Sequence, residues 1–442
     1  MNSVTQHLSK LRDQAIPALE PAGGARIRRR SIATAAAATV LTLASIALAP
    51  AVIAKDRHDD GHWVGTWSAS PQPVATPIQI NGQTVREIVH TSLGGNRVRV
   101  RLSNAYGTSG LVIGSAHVAV SAGGGSIAPG TDRTLTFGGS ATITIPAGAL
   151  ALSDPVDLHV PSLGDLAVSL YVPENVAATT QHSGGLQTNY ISTPGNFTGA
   201  ITVATTSTQS YYFLTGVDVR ASERARAIVT LGDSVTDGFG STADTNQRWP
   251  NLLAERLQSR WGTSSVAVLN AGINGNRVLH DLVGTSALAR LDRDVLVETG
   301  VKYVIVLQGN NDFGIPGLIH NPAEEVTAEQ LIQGHRQIID RAHALGLTVY
   351  GGTLNPIEGI VGFPGFYTPA LEAKRQAVNQ WIRTSNAYDA VIDFDKVLRD
   401  PSQPARLLPA YDSGDHAHPN DVGCKAMADA IQLSLFRDDD ED

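Results

Sequence analysis

Ala227-Ile-Val-Thr-Leu231, followed at once by Gly232-Asp233-Ser234-Val235-Thr236-Asp237-Gly238, decides how this chain is read. The first five residues are apolar but for one Thr and predict a short buried strand. The polar run after them predicts a sharp Gly-flanked turn into a helix, with a Ser hydroxyl exposed where the strand ends. Four apolar runs downstream repeat the strand pattern: Val266–Leu269, Tyr303–Leu307, Leu347–Tyr350 and Ala390–Asp393. Helical patterns fall between them at Trp249–Trp261, Ser286–Val297, Ala328–Ala344 and Ala370–Ser385, and a last one spans Asp421–Phe436. Buried strands alternating with helices predict an α/β fold, a parallel sheet covered on both faces. Ligands of such sheets collect at the carboxyl ends of the strands, so the residues just after each strand are the candidate site.

Upstream the texture is different. From 63 to 222, segments rich in Val, Ile, Thr and Tyr alternate with Gly and Pro turns, as at Arg97–Ser103, Ala116–Ser121, Thr134–Ile145, Ala167–Val172 and Tyr211–Val219. Helical periodicity is nearly absent, which predicts an all-β sandwich or jelly roll. In the first of these segments Val98, Val100 and Leu102 alternate with Arg97, Arg99 and Arg101, the pattern of a half-buried strand with a basic outer face.

Three further polar blocks follow strands or enter helices: Asn270-Ala-Gly272-Ile-Asn-Gly275, Gly309-Asn310-Asn311-Asp312, and Asp415-His416-Ala417-His418-Pro419. A Ser hydroxyl is a weak nucleophile until a base removes its proton. His does so near neutral pH, and a carboxylate on its other nitrogen fixes the tautomer. Asp415 and His418 lie three apart, so one loop is able to present both. Taken singly, Asn311 and Gly272 read equally well as turn residues.

In their order and spacing the four blocks resemble the SGNH, or GDSL-type, hydrolases over roughly residues 224–436, with Val235 where the family motif has Leu. The resemblance implies a flavodoxin-like α/β/α sandwich with Ser234 as nucleophile, His418 as general base and Asp415 as its orienting carboxylate. It further implies an oxyanion hole built from the N–H groups of Ser234 and Gly272 and the side-chain amide of Asn311, with no metal and no cofactor. His416 is the alternative base, disfavoured by the Asp-x-x-His-Pro spacing. Asp233 reads as a turn holder, Asn310 and Asp312 as buttresses of the oxyanion loop, His280-Asp281 as a surface pair, and Trp249 as core. Asn276-Arg277 reads equally as cleft wall or as a solvated surface pair.

The chain has 442 residues, 33 Lys+Arg against 41 Asp+Glu, a net charge of −8 and one Cys. Its length suggests two domains, and a single Cys excludes a disulfide framework and a Cys-based zinc site. Cys424 reads as a small buried residue rather than a nucleophile. A net acidic chain is a poor ligand for nucleic acid or anionic membranes. The first 54 residues hold six basic and two acidic residues, with Arg26-Ile-Arg-Arg-Arg30 running into an apolar stretch from Ile32 to Ile53. That is the pattern of a signal peptide, and Arg29-Arg30-Ser31-Ile32 resembles a twin-arginine signal. The stretch is also long enough to anchor in a bilayer, though Pro50 and its Ala/Thr content weaken insertion. The predicted organisation is therefore a signal over 1–54, a polar linker over 55–62, a β-sandwich over 63–222, a hydrolase domain over 223–437 and an acidic tail over 438–442.

Together these features predict a secreted or periplasmic serine esterase acting on a carboxylic ester, with short acyl groups such as those of acetylated carbohydrate favoured. Stable membrane insertion is not expected once the signal is cleaved. A lipase or phospholipase of the same superfamily is the nearest alternative. A carbohydrate-binding protein with an inactive hydrolase domain is the alternative from another class, against which the intact set of five site residues argues.

Overall fold

The computed structural model describes residues 61–203 and 205–437. The predicted signal, nearly all of the polar linker and the acidic tail lie outside the described residues. From Gly61 onward the chain forms one compact unit with two differently built parts.

The N-terminal part consists mainly of two antiparallel sheets. One runs in the order His62–Ser68, Leu214–Ala221, Gly95–Ser103, Leu150–Leu152, with Val156–Val160 also on Gly95–Ser103. The other runs Thr205–Thr208, Asn189–Pro194, Gln79–His90, Asp165–Ala177, Ser115–Gly123, Ser126–Ile127, with Arg133–Leu135 also on Ser115–Gly123. The period-2 pattern works as expected on Gly95–Ser103, where Val98, Val100 and Leu102 are fully buried. Its arginine face departs from expectation. Arg99 Nε donates to Asp218 Oδ2 at 3.0 Å, and Arg101 pairs with Glu298 of the C-terminal part. The basic face is thus turned against neighbouring acids rather than left in solvent. The predicted strand Thr134–Ile145 is instead two short strands, Arg133–Leu135 and Ile143–Ile145, separated where Gly138 and Gly139 take positive φ.

The C-terminal part is built on a five-stranded parallel sheet in the order Val266–Gly272, Arg226–Gly232, Val301–Leu307, Thr348–Gly352, Ala390–Ile392. This is the 2-1-3-4-5 order of the flavodoxin-like fold, and its switch point lies beside the first strand. Alternate residues feed two cores. Ile228, Ile305 and Leu307 pack with Trp249, Leu253, Met427 and Phe436 on one face. Val229, Leu231, Val304 and Val306 pack on the other with residues of helices Ala328–His343 and Pro369–Thr384. Each fully buried Val, Leu or Ile contributes about 1.5–3 kcal/mol relative to exposure. The predicted last helix stops at Ala430. Beyond it, the turn Leu433–Phe436 inserts Phe436 against the rings of Tyr303 and Tyr350, at 5.3 and 5.6 Å.

The second core continues without a break into the antiparallel part, joining Val64, Val98 and Val219 to Val229 and Leu269. Val266–Gly272 is an edge strand, and an open edge needs cover. Two hydroxyls of the N-terminal part supply it: Ser92 Oγ accepts from Val268 N at 3.0 Å, and Ser68 Oγ donates to the Asn270 carbonyl at 3.1 Å.

Candidate active site

Strand Arg226–Gly232 ends in a turn whose geometry is set by its own side chains. Asp233 caps the one-turn helix Ser234–Asp237, its Oδ1 accepting from Val235 N at 3.1 Å. Gly238, at φ 103°, closes that helix by donating to the Ser234 carbonyl at 2.9 Å. A Cβ on Gly232 would collide with the Thr236 side chain, so the turn requires glycine there. Burial pushes the Asp233 carboxyl up to about 6, against the opposing pull of the Val235 N–H and His418. This is the turn-holding role expected of it.

Ser234 Oγ lies 2.8 Å from His418 Nε2, and His418 Nδ1 lies 2.6 Å from Asp415 Oδ2. The other oxygen, Asp415 Oδ1, accepts from the N–H groups of Ala417 (3.0 Å) and His418 (2.9 Å) and from Ser413 Oγ (3.2 Å). Burial alone would raise this carboxyl. Its hydrogen bond and attraction to His418, with the two backbone N–H groups, hold it well below the usual carboxylate range. An ionised carboxylate only accepts, so the Nδ1 proton belongs to His418 and the Nε2 lone pair faces the Ser234 hydroxyl. The Phe239 ring packs on the His418 ring with centroids 4.6 Å apart and limits its rotation. His416 lies elsewhere. It takes φ 63°, its side chain is half exposed, and its Nδ1 pairs with Asp412.

At the block Asn270–Gly275 the structure departs from the sequence expectation. Gly272 N donates to Asn270 Oδ1 at 2.8 Å, so its proton is already engaged. A Cβ there would strike the backbone of Asp237, so Gly272 serves close packing of the helix Ser234–Asp237. The second glycine of the block fits the donor role better. Gly275 takes φ 72° and is partly exposed, and among the described residues its N–H donates to nothing. Its neighbour Asn274 is fixed to the helix Ser234–Asp237 by Asn274 N donating to Asp237 Oδ2 at 3.2 Å. Asn311 Nδ2 donates one proton to the Asn276 carbonyl at 3.0 Å and keeps a second.

The block Gly309–Asp312 acts as a three-way bracket. Asn311 holds Asn276. Asp312 accepts from Val278 N (2.8 Å) and Leu279 N (2.9 Å), and burial pushes its carboxyl up to about 7 against those two donors. Asn310 Nδ2 donates to the Asn355 carbonyl at 3.1 Å, and Asn355 Nδ2 to the Ala417 carbonyl at 2.9 Å, which reaches the Asp415–His418 loop. Arg277 is neither cleft wall nor solvated, because it is buried and bonded to Glu324 Oε2 at 2.6 Å. Asp281 Oδ1 accepts from Ser286 N at 2.7 Å and so holds the loop. Trp249 is fully buried against Phe394. Cys424 is buried as expected, and burial pushes its thiol up to about 12.

Three supporting residues escaped the sequence reading. Phe239 is one. Arg290, fully buried, donates to the carbonyls of Gly232 (3.1 Å) and Ala271 (2.9 Å), to Asn276 Oδ1 (3.1 Å) and to Ser70 Oγ (3.0 Å). Its signal was available: it lies in a row with Ala287 and Leu291 on the apolar stripe of its helix. The third is His182, with Nδ1 2.9 Å from the Ser70 carbonyl and Nε2 3.0 Å from Asp237 Oδ1. Both partners are acceptors, so the ring satisfies both only as the imidazolium. Burial alone would lower its pKa, but the charge and hydrogen bond of Asp237 and the Ser70 carbonyl raise it above the ordinary value. A base raised in this way stabilises the fold fully below its unfolded pKa, and the gain is lost as pH rises through the folded value. Thermal melts on the alkaline side of neutrality should therefore fall more steeply for wild type than for His182→Asn. Parallel curves would contradict the charged pair.

A cleft of about 550 Å³ opens against the loop that carries Asp415 and His418. It is lined by the polar side chains of Glu358, Asp400, Gln403, Arg406, Asp412 and His416 together with an apolar share from Val361, Leu407 and Pro409. Its floor is tied to that loop by Val361 N donating to the Asp415 carbonyl at 2.9 Å.

Compared with known families, residues 230–426 match the GDSL-like lipase/acylhydrolase family. No curated protein matches the chain. Among solved structures the chain is similar to a carbohydrate acetylesterase family member from Sinorhizobium meliloti, at 16% identity over 48% of this chain and 97% of that one, TM-score 0.37. It is also similar to an acetyl xylan esterase (19% identity, 48% and 99% covered, TM-score 0.36). A third is a GDSL-like lipase from Bacteroides thetaiotaomicron (17%, 49% and 90%, TM-score 0.36).

Proposed function

From the premise that residues 230–426 are a GDSL-like lipase/acylhydrolase domain with the SGNH hydrolase fold, we propose that this chain is a serine esterase working through an acyl-enzyme. The observation that carries the reading is the continuous line from Ser234 Oγ through His418 to Asp415, at 2.8 and 2.6 Å. His418 Nε2 takes the Ser234 proton as Oγ bonds to the ester carbonyl carbon, and the carbonyl oxygen becomes an oxyanion. The N–H groups of Ser234 and Gly275 and the second amide proton of Asn311 stabilise that charge, with Gly275 in the place first expected of Gly272. Collapse breaks the bond to the alcohol oxygen, which leaves with the proton from His418. Water then gives a proton to His418, attacks the acyl carbon, and the carboxylic acid departs as the proton returns to Ser234 Oγ.

The substrate is a short acyl ester of a hydroxyl-rich alcohol, such as acetylated carbohydrate. The cleft beside the His418 loop supports this, because its carboxylates, amide, imidazole and guanidinium suit the hydroxyl groups of a sugar while Val361, Leu407 and Pro409 suit its apolar faces. The basic run and apolar stretch of the first 54 residues support export to the periplasm or beyond. Hydrolysis of short-chain and long-chain p-nitrophenyl esters, and acetate release from acetylated xylan, test the reading. Acetyl esters should turn over fastest and xylan should release acetate. A preference for long chains would move the assignment to a lipase.

A further inference from the structure

We propose that His182, contributed by the antiparallel part, is a positioning residue of the active site: it holds Asp237, and through Asp237 the Asn274–Gly275 segment to which the oxyanion donor is assigned above. The inference rests on the reading of Ser234 as nucleophile.

The bonds form a short chain, buried at His182 and Asp237 and partly buried where it reaches Asn274. His182 Nδ1 donates to the Ser70 carbonyl at 2.9 Å, which fixes the ring to its own part of the protein. Its Nε2 donates to Asp237 Oδ1 at 3.0 Å, and Asp237 Oδ2 accepts from Asn274 N at 3.2 Å. Asp237 is the last residue of the one-turn helix that begins with Ser234. The same carboxylate therefore touches the nucleophile's helix and the backbone just before Gly275. Both His182 and Asp237 are at most 5% exposed, so neither is tethered by solvent. The remaining surroundings offer no substitute. Tyr211 packs its ring 6.4 Å from the imidazole and gives its hydroxyl to the Ile88 carbonyl. Arg248 is the other charge nearby, and it opposes protonation of the ring.

A carboxylate at this point, left without His182, would be buried with one oxygen unpaired. It would draw in water or rotate, and either movement releases Asn274 N. Oxyanion donors act only when held in place before the reaction, so a loosened Gly275 N–H lowers kcat more than it raises KM. A purely structural role for His182 in joining the two parts would lower the melting temperature and leave kcat at a permissive temperature unchanged.

The experiment measures kcat and KM for p-nitrophenyl acetate, with melting temperature, on the full chain and its His182→Ala, His182→Asn, Asp237→Ala and Asp237→Asn variants. His182→Asn keeps a donor for the Ser70 carbonyl but does not reach Asp237. Asp237→Asn still accepts from Asn274 N while its NH₂ donates to a neutral His182. His182→Ala, His182→Asn and Asp237→Ala should lower kcat about tenfold or more with KM within about twofold, and Asp237→Asn should stay within about threefold of wild type. If the alanine variants do not fold, His182→Asn decides. Wild-type kcat in His182→Asn, or Asp237→Asn as poor as Asp237→Ala, overturns the proposal. A wild-type enzyme that hydrolyses no ester instead overturns the esterase reading beneath it.

Discussion

Ser234→Ala abolishes turnover of p-nitrophenyl acetate, lowering kcat on the order of 10⁶-fold. The substitution removes one oxygen, and that oxygen has one partner, His418 Nε2 at 2.8 Å. Ser234 is only half buried, and its helix is held by Asp233 and Gly238 rather than by its hydroxyl, so the fold survives. What remains is the oxyanion pocket, which by itself retains about 10³–10⁴-fold catalysis over water. KM should stay near the wild-type value because substrate binding does not depend on the nucleophile. Wild-type rates in the variant would remove Ser234 from the mechanism and send the search for a nucleophile elsewhere in the chain.

Asp415→Asn carries the second large effect, a fall in kcat of about 10⁴-fold with little change in fold. The reason lies in which oxygen does what. Asp415 Oδ1 is occupied by three donors, Ala417 N, His418 N and Ser413 Oγ. An Asn at 415 keeps its carbonyl there, and its NH₂ group then faces His418 Nδ1. Nδ1 must become the acceptor, the ring proton moves to Nε2, and the base meets the Ser234 hydroxyl with a proton instead of a lone pair. The measurement is kcat with p-nitrophenyl acetate beside a circular-dichroism melt. A variant that melts like wild type and keeps its kcat would show that Asp415 orients nothing. The depressed pKa of Asp415 also sets a sign: its pairing stabilises the fold above the ordinary carboxylate pKa and is lost only as pH falls through the lower folded value.

Much of the parallel sheet was legible because its strands are buried on both faces and spell themselves as apolar runs. Ala227–Leu231 became Arg226–Gly232, and Tyr303–Leu307 became Val301–Leu307, differences of one to two residues at the ends. Ser234, His418 and Asp415 could be placed from order and spacing, and the structure brings them together. The choice between Gly272 and Gly275 was not legible, since both are glycines of one short block, Gly272 two residues before Asn274 and Gly275 one after it. Only the Asn270 side chain on one N–H and the free, left-handed backbone of the other separate them. The arginines of Gly95–Ser103 misled for a related reason. Periodicity tells that a face is polar, and says nothing of whether water or another part of the chain lies opposite. His182 left no local trace, because its partner Asp237 is 55 residues away.

The cover that Ser68 and Ser92 place on the edge strand, together with the core running through both parts, bears on engineering. The antiparallel part is not a cassette that a gene fusion could exchange for another sandwich. A transplanted substitute would meet the hydrolase with the wrong hydroxyls at Val268 and Asn270 and no imidazole at Asp237. The two halves of this chain are therefore to be engineered as a matched pair, with directed evolution of one run while the other is left free to answer.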